Sequence, residues 1–556
     1  MSENTTTWWR DAVIYQIYPR SWADGNGDGM GDLPGITARL PYLAELGVDA
    51  VWLSPFYTSP QNDAGYDVAD YRDVDPRFGT LADADALLAR AHELGLRVLV
   101  DLVPNHSSSE HPWFQAALAA GPGSPERARY IFREGQGPEH AEPPNNWLSN
   151  FGGPGWTRVT ESDGSPGQWY LHLFDVTQPD FDWTNPEVGD EMESVIRFWL
   201  DRGVDGFRID VAHSLIKADG LPDTELVHEM SVENTSDLPM WDQPGVHDVY
   251  RRWRKVTDSY ARDGEDADRI LCAEAWVRPA EAMARYVRSD ELHQAFNFGF
   301  LVSPWIAGEL QRNIEDSLQA VAEVGAPQTW VLSNHDVVRH ASRLGFDPVP
   351  GPMDTRGIGA GDPQPDAAAG LRRARAATTV MLALPGSAYL YQGEELGLPE
   401  ATELPDEVRQ DPTWEKSGHT APGRDGCRVP VPWEADAPAF GFSETGRSWL
   451  PQPEAYGELA PDRQSGAPGS TLELYRSLLA QRHEHGLGRG RLVWDDLGAD
   501  ALAFDIVCDD ATVRVIANLG QAPLPLPVDA EVLVASAELD ENGALPTDAA
   551  VWLRQP

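Results

Sequence analysis

The sequence predicts an α/β fold, a (β/α)8 (TIM) barrel with a small inserted domain after strand three and a C-terminal antiparallel β-domain. Strand-like apolar runs alternate with helical patterns eight times between residues 12 and 392. One connection, 105–182, is too long and too rich in Gly, Pro and Asn for a simple crossover. After residue 490 the pattern changes to short alternating runs, which are typical of antiparallel strands.

The strands and helices of the predicted barrel follow one another in order. Leu40, Leu43 and Leu46 recur at helical spacing after the first strand, and similar patterns follow the others. Because parallel strands end on one face, that face is expected to carry the active site. The predicted strands are 12–19, 48–55, 97–103, 204–210, 270–276, 295–300, 329–334 and 387–392.

Domain boundaries follow from the same pattern. The barrel is assigned to 1–104 and 183–485, the inserted domain to 105–182, and a C-terminal β-sandwich to 486–556. Residues 393–468 are rich in Pro, Gly and Asp and follow the eighth strand. We expect them to form long loops that shape a pocket over the barrel.

Charge and cysteine content narrow the partners and the compartment. The chain carries 43 Lys and Arg against 88 Asp and Glu, a net charge of −45, which disfavours nucleic acid or an anionic membrane as partner. Its three cysteines cannot form a disulfide framework and have no metal-ligand spacing. The start lacks a signal-peptide pattern, and no run approaches a membrane span. We therefore expect a cytoplasmic protein that binds small molecules; nothing indicates its oligomeric state.

The run at 206–213 contains the first candidate for chemistry. Asp210 ends the predicted fourth strand, and Arg208, two residues earlier, projects to the same side. A guanidinium there keeps a carboxylate ionised and oriented. An isolated Arg-x-Asp is more often a structural ion pair, but other strand ends favour Asp210 as a nucleophile.

Those strand ends carry two histidines and two further carboxyl groups. His106 follows the third strand, and a histidine there donates to a bound hydroxyl. Glu274 ends the fifth strand among apolar residues, a setting suited to a general acid. His335 and Asp336 follow the seventh strand. Three acids and two histidines are thus expected to converge on one rim.

These motifs resemble the α-amylase family of glycoside hydrolases. D-x-x-x-N-H at 101–106, G-F-R-x-D at 206–210, the isolated Glu274 and N-H-D at 334–336 stand in the family's order. Gln178-Pro-Asp180 resembles the motif that closes the family's inserted domain. The resemblance implies that Asp210 is the nucleophile, Glu274 the acid/base and Asp336 the transition-state stabiliser, with Arg208, His106 and His335 lining the same subsite.

Two further segments resemble exo-acting α-glucosidases, including oligo-1,6-glucosidases. Asp63 and Tyr66 stand where that group holds and stacks on the terminal glucose, and the loop 423–433 resembles its arginine-bearing loop, with Arg428 reaching the glucose. The alternatives are core packing for Tyr66 and a solvated charge for Arg428. The resemblance implies a retaining enzyme that releases terminal glucose from maltose- or isomaltose-type oligosaccharides through a covalent glucosyl-Asp intermediate.

Val211 bears on linkage preference. In the resembling enzymes, Val directly after the nucleophile accompanies cleavage of α-1,6 bonds, so isomaltose-type substrates are expected alongside maltose. Two alternatives stay open: an α-glucosyl transferase or isomerase such as trehalose synthase or sucrose isomerase, and, less favoured, an interaction protein like amino-acid transporter heavy chains. The three carboxylates argue against the interaction protein.

The loop 24–32 predicts a structural Ca²⁺ site. Oxygen ligands recur at every second residue, and glycines permit the tight turn. Glycine stands at the twelfth position, so the loop is not an EF-hand; it resembles the calcium loop of the oligo-glucosidases. The alternative is a glycine-rich acidic turn without metal. The predicted ligands are Asp24, Asn26, Asp28, Asp32 and the backbone carbonyl of Met30.

Overall fold

The computed structural model describes residues 7–224, 238–261, 269–347, 356–527 and 529–554. The ends of the predicted barrel and β-domain, 1–6 and 555–556, therefore lie outside the described residues. The strands are β1 (Val13–Ile17), β2 (Ala50–Leu53), β3 (Tyr57–Thr58), β4 (Asp70–Val74), β5 (Arg97–Leu102), β6 (Phe132–Arg133), β7 (Trp156–Thr160), β8 (Pro166–Leu171), β9 (Gly206–Ile209), β10 (Ile270–Ala273), β11 (Gln294–Ala295), β12 (Thr329–Val331), β13 (Ser387–Tyr391), β14 (Arg491–Asp495), β15 (Ala501–Val507), β16 (Thr512–Asn518), β17 (Glu531–Ala535) and β18 (Ala549–Arg554).

Helices separate most of the barrel strands. They are α1 (Leu33–Leu46), α2 (Leu81–Glu93), α3 (Pro112–Ala120), α4 (Pro186–Asp201), α5 (Val246–Asp258), α6 (Ala280–Ala284), α7 (Phe298–Leu301), α8 (Ala307–Val324), α9 (His340–Arg343), α10 (Ala367–Ala383), α11 (Pro412–Lys416), α12 (Pro461–Gln464) and α13 (Thr471–His485). Among the described residues, no helix is both long and apolar enough to cross a membrane.

Eight strands form the predicted barrel. They pair in the order β11-β10-β9-β5-β2-β1-β13-β12, with parallel registers. A parallel bridge between Phe296 and Thr329 joins the two ends of the sheet and closes the ring. Every residue of β1, β2, β9, β10 and β13 is buried, as expected for strands with a filled interior and a helical cover. The (β/α)8 prediction is confirmed.

The sixth strand differs from its prediction. The apolar run 295–300 was expected to be extended, but β11 ends at Ala295 and Phe298 begins the short helix α7. The side chain of Asn297 accepts a hydrogen bond from the Phe300 backbone N–H at 2.9 Å and caps this helix. Periodicity alone cannot separate a short buried strand from a short buried helix, and the cap decides between them.

The long connection after β5 contains its own small sheet. Strands β6, β8 and β7 pair in that order, antiparallel, beside helix α3. Near the end of this segment, Asp180 forms an antiparallel bridge with His106, directly after β5. The inserted segment therefore returns to the barrel rim close to a candidate site residue. The domain limits 105 and 182 themselves stay a prediction.

The C-terminal region is an antiparallel sheet, as predicted, in the order β14-β15-β16-β18-β17. The indole N–H of Trp552 on β18 donates to the Thr379 carbonyl on α10 at 2.8 Å, so one face packs on the barrel. Leu545 and neighbouring apolar residues cover the other face. The described residues form one named sheet here rather than the two sheets of the predicted sandwich. A barrel helix covers one face of this sheet and a loop segment covers the other, so no second sheet is needed to bury them.

Candidate active site

One guanidinium binds three carboxyl groups at the carboxyl ends of β5, β9 and β10. Arg208 Nη1 donates to Asp101 Oδ1 at 2.8 Å and to Asp210 Oδ1 at 2.7 Å, and its Nη2 donates to Glu274 Oε2 at 2.5 Å. Only 1 % of the Arg208 side chain is exposed. The structure therefore brings the predicted nucleophile and the predicted acid/base together. We call these four residues the Arg208 centre.

The Arg208 centre has more carboxyl groups than cations. Burial raises the pKa of Asp210 well above its usual value; the guanidinium of Arg208 opposes this shift, and the charge of Glu274 adds to it. Burial also raises the pKa of Asp101 to about 7, again against Arg208. Because like charges in a dry site disfavour full ionisation, this centre can hold a proton near neutral pH.

A second guanidinium stands across the cavity. Arg424 lies at the start of a short 3-10 helix, Arg424–Cys427, in the loop after β13. Its Nη2 donates to Asp63 Oδ1 at 3.0 Å, its Nη1 to Asp336 Oδ1 at 2.9 Å and its Nε to Asp411 Oδ2 at 2.5 Å. We call these four residues the Arg424 centre.

The two cavity-facing acids of this centre differ in protonation. Burial raises the pKa of Asp63 to about 6, although Arg424 and Arg428 oppose the shift. Burial acts on Asp336 too, but the guanidinium groups of Arg424 and Arg428 outweigh it and hold the pKa of this carboxyl well below its usual range. Asp336 is thus ionised whenever the protein is folded at ordinary pH.

Arg428 does not line the cavity. Its side chain is buried behind the cavity, where Nη2 donates to Asp336 Oδ1 at 3.0 Å and Nε donates to the His335 carbonyl at 2.8 Å. It is therefore not a solvated loop charge, and its contact with glucose stays a prediction. Arg424, four residues earlier, occupies the cavity position instead.

The other predicted residues divide into cavity lining and support. Arg208 and His335 lie behind the lining rather than in it, because Arg208 is held by three carboxyls and His335 is enclosed between Gln16 and Asp336, at 2.7 and 3.2 Å. The residues from the predicted set that line the cavity are Asp63, Tyr66, His106, Asp210, Val211, Glu274 and Asp336.

Aromatic and imidazole rings form one side of the cavity. The Tyr66 hydroxyl donates to Asp101 Oδ2 at 3.0 Å, and its ring stacks on His335 with centroids 5.2 Å apart and planes 3° apart. Burial lowers the pKa of His106 to about 4 and that of His335 well below its usual value. Both imidazoles are therefore neutral at pH 7 and act as hydrogen-bonding groups rather than charges.

Val211 is strained. Its φ of 43° lies in the left-handed region, which β-branched residues rarely adopt. This turn directs its backbone N–H to Glu274 Oε2 at 3.0 Å while its side chain lines the cavity. Such strain persists only where the surroundings fix it, here the contact between the fourth and fifth strand ends.

Comparison with known proteins places this geometry in a family. Residues 16–489 match the model for the α-amylase catalytic domain. The chain belongs to the α-amylase family of glycoside hydrolases. Residues 489–552 match a domain of unknown function, DUF3459. The whole chain is 40 % identical to a probable alpha-glucosidase of Rhizobium meliloti (strain 1021), over 89 % of this chain and 86 % of that protein.

Other relatives extend this result. An oligo-1,6-glucosidase of Parageobacillus thermoglucosidasius is 35 % identical, over 86 % of this chain and 84 % of that protein. The structure of the alpha-glucosyl transfer enzyme XgtA matches with a TM-score of 0.85 at 36 % identity, covering 99 % of this chain and 100 % of that one. The structure of the trehalulose synthase MutB from Pseudomonas mesoacidophila MX-45 matches with a TM-score of 0.82 at 29 % identity, covering 98 % of this chain and 99 % of that one.

Several residues that line or support the cavity of this α-amylase family member were missed or given no role by sequence reasoning. Gln178 donates through Nε2 to Asp63 Oδ2 at 3.1 Å, and its place in the Gln-Pro-Asp motif was the available signal. Phe151 and Lys416 line the mouth from the inserted segment and from α11; the Arg424 guanidinium lies 5.1 Å from the Phe151 ring. Their only signal was the composition of the two long loops.

The loop 24–32 is held by its own backbone. Asp24 accepts from the N–H groups of Gly27 at 2.6 Å and Gly29 at 2.8 Å, and Asp32 caps α1 by accepting from Gly35 at 2.7 Å. Among the residues described, no three His, Cys, Asp or Glu side chains are grouped as a metal site. Carboxylate oxygens with free lone pairs still suit a hard cation. The Ca²⁺ site therefore stays a prediction.

Proposed function

We propose that this glycoside hydrolase is a retaining, exo-acting α-glucosidase that removes terminal α-linked glucose from short oligosaccharides. The observation that carries this proposal is the Arg424 bridge between Asp63 and Asp336, at 3.0 and 2.9 Å. Charged groups tied across the cavity suit the hydroxyls of one terminal sugar and obstruct a chain that continues past it. Such a site favours chain ends over internal bonds.

The Arg208 centre supports a retaining mechanism. Because Asp210 and Glu274 accept from the same guanidinium, their carboxyls stand close together, as the roughly 5–5.5 Å spacing of retaining enzymes requires. Arg208 engages Oδ1 of Asp210, so Oδ2 would attack the anomeric carbon. Glu274 would give its proton to the leaving oxygen as the glycosidic bond breaks, and would then take a proton from the water that releases glucose.

The roles of the remaining side chains follow from their charge. Asp336, held ionised by the two arginines, would accept hydrogen bonds from sugar hydroxyls and oppose the positive charge that develops on the sugar. Relatives support small glucosides as substrates: structures of MutB variants are described in complex with glucose and with isomaltulose. A cytoplasmic location is proposed as well, supported by the low cysteine content.

Glucosyl transfer or isomerisation is a second candidate, favoured by the high structural similarity to XgtA and MutB. Both reactions use the same glucosyl-enzyme, and only the acceptor, water or sugar, differs. Phe151 and Lys416, which line the cavity from the two long loops, would border the acceptor in either reaction.

Product analysis separates the two candidates. Purified enzyme is incubated with maltose, isomaltose, sucrose, trehalose and starch, and products are resolved by chromatography. We expect glucose from the disaccharides, little reaction on starch, and α-glucose as the first anomer in proton NMR. Trehalulose or isomaltulose from sucrose would favour the isomerase, and β-glucose appearing first would contradict retention.

A further inference from the structure

The fifth strand end carries a second cavity residue beside the predicted acid/base. The indole Nε1–H of Trp276 donates to Glu274 Oε1 at 3.1 Å, and the side chain lines the cavity. The other carboxyl oxygen, Oε2, accepts from Arg208 Nη2 and from the Val211 backbone N–H. Each oxygen of Glu274 therefore has its own donor.

Trp276 is itself fixed from behind. Its ring stacks on Phe298, with centroids 3.8 Å apart and planes 10° apart. Phe298 is the first residue of α7, the short helix found in place of the predicted strand, and Asn297 anchors that helix by donating through Nδ2 to Ser317 Oγ at 2.8 Å. The departure from the strand pattern thus supports the indole.

This arrangement decides which oxygen carries the acidic proton. Oε2 meets two donors, one of them a guanidinium, so it must supply lone pairs and cannot readily bear a hydrogen. When Glu274 acts as the acid, its proton is therefore on Oε1, the oxygen to which Trp276 donates. When that proton passes to the leaving oxygen, the bonding pair of the glycosidic bond leaves with the aglycone, and negative charge develops on Oε1.

We propose that Trp276 is a positioning residue for proton transfer: its N–H fixes the orientation of the Glu274 carboxyl and stabilises the charge that appears on Oε1 as the proton departs. The inference rests on the proposed role of Glu274 as acid. A hydrogen bond to a charged acceptor is stronger than one to a neutral acid, so the contact strengthens during the reaction.

The test uses two donors that differ in their need for a proton. Maltose needs protonation of its leaving sugar, whereas the leaving group of a dinitrophenyl α-glucoside departs as a stable phenolate without a proton. For Trp276→Phe we expect kcat/KM on maltose to fall about 10-fold to 100-fold, the effect of losing a hydrogen bond to a charged group, while kcat/KM on the aryl glucoside falls much less. Because kcat/KM reports only steps through the first bond cleavage, later hydrolysis does not obscure the contrast.

Two further variants make the result decisive. Trp305→Phe removes another indole–carboxylate bond, to Asp548 at 2.8 Å, far from the cavity, and should leave both substrates unchanged. Phe298→Leu keeps the Trp276 N–H but loosens the stacking that holds the indole, and should reproduce the maltose-selective loss more weakly. If circular dichroism shows that Trp276→Phe folds poorly, Phe298→Leu replaces it in the test.

Equal losses on both donors in Trp276→Phe would overturn the proposal, because they would show a general disturbance of the pocket. Unchanged kinetics on both donors would overturn it as well. A wild-type enzyme that cleaves neither donor would instead contradict the proposed function, so the two failures are distinguishable.

Discussion

The two arginine centres at the barrel mouth contain the same number of carboxyl groups but differ in charge balance. In the Arg208 centre, one guanidinium serves Asp101, Asp210 and Glu274. Beside the Arg424 centre, Arg428 adds a second cation, whose Nη2 lies 3.0 Å from Asp336 Oδ1. The first centre therefore raises carboxyl pKa values and can hold a proton, whereas the second keeps Asp336 ionised. In the proposed function, this difference in cation number would separate the carboxyl groups that transfer protons from the carboxylate, Asp336, that binds sugar.

Breaking the Arg208 centre is expected to have the largest effect. Asp210→Asn should fold normally and lower kcat on maltose by at least about 10³-fold, because it removes the proposed nucleophile. Steady-state kinetics with circular dichroism as folding control checks this. Near-normal turnover of Asp210→Asn would refute the assignment of the chemistry to this centre.

The next largest effect should separate Arg424 from Arg428. Arg424→Lys keeps the charge but cannot bind Asp63, Asp336 and Asp411 at once, and disrupting such buried charged pairs costs about 2–5 kcal/mol. We expect kcat/KM on maltose to fall at least about 30-fold, chiefly through KM, the equivalent of 2 kcal/mol. Arg428→Lys, behind the cavity, should mainly lower the melting temperature. The reverse order of KM effects would restore Arg428 as the glucose contact.

The Arg208 and Arg424 centres also show which parts of the site the sequence could predict and which parts it could not. Three residues of the Arg208 centre were predicted to lie together, because Arg208 and Asp210 alternate along one strand and the strand end at Glu274 converges on the same rim. Asp101, the fourth, was given no role. The Arg424 centre depends on a long loop whose path no periodicity encodes. Within 423–433 both arginines fit the pattern, and only the tertiary contact with Asp63 distinguishes them.

The fold shows the same division. Strands with continuous apolar runs were placed correctly, but 295–300 was not, since the cap at Asn297 outweighed the apolar pattern. Trp276 was predicted as the last residue of the fifth strand, yet its contact with Glu274 is supported by Phe298, 22 residues later, just after the neighbouring strand β11.

A smaller effect is expected at the contact between the fourth and fifth strand ends. Val211 lines the cavity beside Glu274, so its bulk borders the leaving sugar. Val211→Thr replaces one methyl group with a hydroxyl and should raise the maltose-to-isomaltose ratio of kcat/KM by no more than about 10-fold, within the 1–3 kcal/mol that one methyl group commonly supplies. Competition assays with both disaccharides measure it. An unchanged or lower ratio would show that Val211 only packs.

The Arg424 centre also predicts a modest pH effect. Because burial raises the pKa of Asp63 to about 6, this carboxyl gains a proton as pH falls through that value and weakens its pairing with Arg424. The folded state then binds more protons than the unfolded chain between about pH 4 and 6, so this group's contribution to stability falls as pH rises through that window. KM for maltose should instead rise as pH drops below about 6. Asp63→Asn should have a high KM without that rise; a wild-type KM that is flat from pH 7 to 5 would contradict the prediction.

The smallest effect concerns a third acidic cluster, the loop 24–32, where backbone N–H groups rather than arginines pair the carboxylates of Asp24 and Asp32. By comparison with the two centres, a bound Ca²⁺ would be the missing cation.

Because the hydrogen bonds already hold the loop, chelation should leave kcat intact and lower the melting temperature by only a few degrees, consistent with about 2.7 kcal/mol from an ion at 100 times its dissociation constant. Thermal melts with chelator, then with added calcium, measure the shift, and Asp28→Asn should reduce it. No shift together with no calcium in elemental analysis would leave the loop as an acidic turn.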